Sequence, residues 1–263
     1  MLLYTDLARD IIEDVARRVR DLRHLDPERI GVLAAARCNG RHWGNLAMCL
    51  GLVRSQLPTF SVWLKPGSRT ILAVSEWFQY RSPRVRLGGR DMHYLILLRL
   101  PRLLLRNPLP TLIHELYHIS EDFDAELRPA RHGPHFDREV RRLTQNWLER
   151  ARGDLPRLAQ MRLDDLKREF GAVLAEGMPS RFVFPLAERV QAPESYRRGV
   201  ERLYPDCRLA ANYEIRPAAT TPDLAPRMLT EKDLVLRLYD RTGIQRVPSA
   251  FTRYTRQHLA PSA

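Results

Sequence analysis

Apolar residues recur at helical spacing near the N-terminus. Leu7, Ile11, Val15, Val19 and Leu22 form one stripe between positions 5 and 24. That stripe predicts an amphipathic helix with Thr5 as its N-cap, broken by Asp26-Pro27. The pattern then shortens. Apolar runs at 30–36, 45–53, 59–64 and 70–78, punctuated by Gly51, Pro58 and Pro66-Gly67, read as strands of one sheet. The run 92–100, MHYLILLRL, is the strongest strand candidate. Asn107-Pro108 opens a helix over about 108–121, because Asn caps well and proline in the first turn sacrifices no hydrogen bond. A loop over 122–133 and a second helix over about 134–151 follow, the latter turning Phe136, Val140, Leu143 and Leu148 inward.

Beyond 152 the reading is mainly helical. Helices are expected over 162–176, 194–204 and 230–241, the last opened by the capping-box sequence Thr230 to Asp233. A short strand is expected at 181–184, and the Pro- and Ala-rich segment 216–227 reads as loop. The prediction is an α+β core over 1–152 carrying a mainly helical C-terminal extension over 153–263.

Composition narrows the class. A hydrophobic share of 44% suits a globular chain. The N-terminal apolar stretch carries Asp6, Asp10, Glu13 and Asp14, so it does not read as a signal peptide. The greasiest window, 93–113, holds Arg99, Arg102 and Arg106 and is a poor membrane span. Three scattered cysteines with no CxxC pair point to a reducing compartment, and the cytoplasm is the expectation. The formal charge is +12, and of the basic residues only Lys65, Lys167 and Lys232 are lysine. A pI of about 10.2 allows non-specific nucleic-acid contact, although no aromatic-interleaved basic run supports it.

The chemistry concentrates in 111-TLIHELYHISEDFDAELRPARHGPHF-136. On a helix, His114 and His118 share one face and can bind one ion, while Glu115 stands beside them as a general base. A catalytic zinc site needs a third protein ligand. Glu121, Asp124, His132 and His135 are the candidates. His132 has the best context, with Gly133 permitting close approach and Phe136 anchoring the next helix. Tyr117, His135 and Arg131 are candidates for a supporting partner or an oxyanion donor.

The pattern HELYH, a loop of thirteen residues, then HGPHF resembles the SprT/Spartan-like zinc metallopeptidases and the related phage-type metallopeptidases. The resemblance implies a zincin-like core of N-terminal helix, small mixed sheet, HExxH helix and second helix. It implies Zn2+ held by His114, His118 and His132, with Glu115 as catalytic base, acting on a protein or peptide. The strand upstream of the motif would offer its edge to an extended substrate. The resemblance covers residues 1–150 at most. The cysteine-rich ribbon that follows the core in many SprT-like proteins is missing, and 152–263 resembles nothing in that family. The alternative is a zincin-fold binding module for protein or nucleic acid, with structural zinc and no hydrolysis.

Overall fold

A computed structural model describes residues 1–35, 45–52, 56–128, 132–223 and 225–246. The chain divides into two compact units. The first takes the described residues of 1–52, 85–180 and 229–263; the second takes those of 53–84 and 181–228. The expected boundary at 152/153 coincides with neither border.

The first unit is built on a seven-stranded mixed sheet. Its strands are β1 (Leu2–Leu3), β2 (Ile30–Ala34), β3 (Ala47–Gly51), β4 (Tyr94–Leu98), β5 (Val173–Gly177), β6 (Val235–Asp240) and β7 (Gly243–Arg246). Their order is β7-β6-β5-β2-β4-β3, with β1 paired to β5. β2 and β4 run parallel, from Ile30 beside Tyr94 to Ala34 beside Leu98. Both are buried along their whole length, which is why they read as unbroken apolar runs. β3 lies antiparallel to β4 and forms the sheet's edge.

Four helices matter to this unit: α1 (Tyr4–Arg18), α2 (Leu109–Tyr117), α3 (Pro134–Arg150) and α4 (Leu163–Phe170). The predicted stripe of α1 is buried at Leu7, Ile11 and Val15. It shares one hydrophobic core with Leu112, Leu116, Phe136, Leu143 and Trp147 of α2 and α3. Thr5 is not the N-cap. It lies inside the helix, and its Oγ1 accepts a 3.2 Å hydrogen bond from the Glu176 N–H, tying α1 to β5.

The second unit has its own small core of Phe60, Ile71, Val74, Trp77 and Val200. Thr70–Ser75 is flanked by Val62–Leu64 and Arg208–Arg216, Phe78–Arg81 pairs with Leu186–Arg189, and Tyr196–Leu203 is helical.

Several expectations are overturned. The fold is not a zincin-like α+β core with a mainly helical extension, because the C-terminal region supplies central and outer strands of the main sheet. The helix expected over 162–176 stops at Phe170, where Gly171 adopts φ of 77°, and Val173–Gly177 continues as β5. The capping box at Thr230 forms, but it starts only the 3-10 turn Glu231–Asp233, and Val235–Asp240 is β6 rather than helix. The expected strand at 181–184 is irregular, whereas Arg208–Arg216 is an unforeseen strand. The runs 59–64 and 70–78 do not join the main sheet but lie in the second unit. β4 cannot offer an edge, since β2 and β3 occupy both sides; among the described residues the edge on this side belongs to β3. Among the described residues no helix is long and apolar enough to cross a membrane.

Candidate metal centre

α2 begins as its sequence implies. Pro108 and Pro110 sit where amides lack helical partners, and Asn107 Oδ1 accepts a 3.1 Å hydrogen bond from the Leu109 N–H. Leu109, Leu112, Ile113 and Leu116 bury one face in the core. The helix ends at Tyr117, short of the predicted 121. His118 caps it with φ of −72° and ψ of −18°, so His114 and His118 keep helical i,i+4 geometry.

The loop after α2 is docked rather than loose. Arg128 N–H donates to His118 O at 2.7 Å, and Tyr94 Oη donates to Glu126 O at 2.8 Å. Phe123 and Ala125 both adopt positive φ, 52° and 71°. Gly51 lets this loop cross the end of β3, for a Cβ there would stand 2.2 Å from the Ala125 carbonyl oxygen. No side chain larger than hydrogen fits that gap.

Three imidazoles converge. The Nε2 atoms of His114 and His118 are 3.1 Å apart, those of His114 and His132 3.2 Å, and those of His118 and His132 3.0 Å. These three rings are the residues that could hold a metal ion. Phe136 forms the apolar backing, its ring centroid 4.8, 4.9 and 5.0 Å from those of His114, His118 and His132.

The electrostatics suit a cation. Burial and the neighbouring His132 hold His114 below the usual imidazole range, although Asp137 opposes the shift. Burial, with His114 and His132 nearby, pushes His118 down to about 4. Neutral rings present lone pairs, which is the state a metal requires.

Glu115 is buried, and burial raises its carboxyl to about 7 despite a backbone hydrogen bond that favours the charged form. That bond is made by the Cys49 N–H of β3, which donates to Glu115 Oε2 at 2.7 Å. The edge strand therefore aims the carboxylate. β3, the start of α2 and the second turn of α3 enclose a cavity of about 930 Å³ that contains all three histidines and Glu115.

The other sequence candidates are placed elsewhere. Asp124 Oδ1 accepts from Ser120 Oγ at 2.7 Å and from the Glu126 N–H at 3.1 Å, so it shapes the loop. Glu121 is paired with Arg128 at 2.8 Å. The Tyr117 ring packs against Phe136 and lies under the Arg128 guanidinium, 4.5 Å from its centroid. His135 is exposed on the first turn of α3 and lies outside the histidine group. Arg131 lies outside the described residues. Sequence reasoning missed the Cys49 N–H, a backbone group without a residue signature. It also missed Arg106, Asp137 and Arg141, which line the cavity. Asp137 and Arg141 do stand four residues apart on one face of α3.

No family model matches this chain, and no curated protein or solved structure matches it either.

Proposed function

We propose that this protein is a zinc-dependent peptidase. The observation that carries the reading is the convergence of three Nε2 atoms with a buried, strand-anchored carboxylate in one cavity. Three imidazoles suit Zn2+ in ligand type and spacing. A zinc ion held there supplies Lewis acidity to a water molecule and to the carbonyl of the bond to be cut. Glu115 takes the proton from that water and delivers it to the leaving amine. The outer edge of β3 is the place for an extended peptide, since its outward backbone groups border the cavity.

A second reading draws on the same bond from Cys49 to Glu115. It makes Glu115 a structural tether and the protein a metal-holding module that binds protein or nucleic acid without cutting it.

One variant separates the two. Glu115→Gln keeps a side-chain acceptor for the Cys49 N–H but cannot take a proton. On the peptidase reading it retains zinc and loses hydrolysis of an unfolded protein substrate by at least about 100-fold. Turnover equal to that of the unaltered protein refutes the peptidase reading. If the unaltered, zinc-loaded protein cuts no unfolded substrate, the binding module stands.

A further inference from the structure

The cavity holding the histidine group is not uniform in charge. Arg106 lies just ahead of α2, and Arg141 lies one turn after Asp137 on α3; both line it. Asp137 lines the same cavity. Arg141 is anchored by its Nε, which donates to the Asp137 backbone carbonyl at 3.2 Å. Among the described residues no carboxylate lies within ion-pair distance of either guanidinium. The contrast with the next residue is direct: Arg142 is bound to both Asp21 and Glu139.

Two guanidiniums without an ion-pair partner in one cavity can receive an anion, and their planar donor sets suit a carboxylate. We infer that Arg106 and Arg141 bind a carboxylate of the peptide substrate and select for it. This inference rests on the peptidase reading. Both arginines line the same cavity as His114, so the recognised group lies on the stretch of substrate that this cavity holds beside the bond. It is either an aspartate or glutamate side chain or the C-terminal carboxylate of a short peptide.

The test uses the full chain loaded with zinc and a set of otherwise identical peptides. One carries Asp near the bond and an amidated C-terminus, one carries Gly there with a free C-terminus, one carries Gly with an amide, and one carries Lys with an amide. Cleavage is read as kcat/KM. Binding of the same labelled peptides to Glu115→Gln is read by fluorescence anisotropy. The expected preference for a carboxylate-bearing peptide over the Gly-amide peptide is about tenfold. Whichever of the first two peptides shows it identifies the source. Arg106→Glu and Arg141→Glu should each erase that preference and favour the Lys peptide, whereas Arg→Lys at each position should keep part of it. A preference unmoved by charge reversal, or no preference at all, overturns the inference. Absence of cleavage with the binding preference intact and reversible overturns the peptidase reading and leaves the anion receptor standing.

Discussion

If the proposed zinc site is right, removing His132 should abolish tight zinc binding, whereas removing Asp124 should not. The Nε2 atoms are 3.0–3.2 Å apart, so all three imidazoles could reach one ion. The two helical histidines alone would leave it only two protein ligands. Asp124 cannot substitute while Ser120 and the Glu126 amide hold it. The magnitude follows from linkage. A ligand that binds only the folded state at 100 times its Kd stabilises that state by about 2.7 kcal/mol. For a chain of this size that raises Tm by about 5–10 °C. The assay is thermal unfolding with zinc and with a chelator, paired with metal analysis of the dialysed protein. The unaltered protein and Asp124→Ala should both show the shift and near one zinc per chain; His132→Ala should show neither. Retention of zinc and of the shift by His132→Ala, with their loss in Asp124→Ala, refutes the three-histidine assignment.

Other consequences concern the scaffold. Gly51→Ala drives a Cβ into the Ala125 carbonyl 2.2 Å away, and denaturant unfolding should show a loss of about 1–3 kcal/mol. An unchanged midpoint would mean that the loop does not cross β3 so closely. Asp14 is buried and accepts from Arg18 Nε at 2.8 and 2.9 Å, from Trp147 Nε1 at 3.0 Å and from Arg17. Burial alone would raise its pKa, but the bonds from Arg17, Arg18 and Trp147 outweigh it and hold the carboxyl below its usual value. A depressed folded-state pKa contributes stability above the unfolded value of about 3.9, lost as pH falls through the folded value. Asp14→Ala should therefore cost about 2–4 kcal/mol at pH 7 and progressively less below pH 4, read as urea midpoints across that range. A cost that is flat with pH would show that the charge at Asp14 contributes nothing.

The contrast between what sequence reasoning reached and what it missed follows the range of the interactions. His114, Glu115 and His118 are legible because one helix sets their spacing, and Asn107, Pro108 and the buried leucines announce that helix locally. His132 is legible because Phe136 accompanies it, and Phe136 does back all three rings; Gly133 plays no part through close approach, since a Cβ there would meet nothing within 4 Å. A helix over 162–176 overruns the structure because Leu163, Leu166, Phe170 and Leu174 stand at helical spacing. The stop signal was Gly171, whose positive φ ends the helix before a run that pairs with β1, β2 and β6. Val235–Asp240 shows no period-two burial pattern, so its strand state follows from its pairing with β5, while the adjacent capping box reads locally as a helix start. Strand order was out of reach altogether, since pairing Ile30 with Tyr94 or Leu174 with Leu238 depends on packing partners far along the chain. The same limit governs the site. Its histidines come from one helix and from just ahead of the next, within nineteen positions of each other, but the wall that aims Glu115 comes from β3, whose place is set by its pairing with β4. Local sequence thus specifies which atoms can hold an ion, and the long-range sheet specifies where the Glu115 carboxylate points and what can lie beside it.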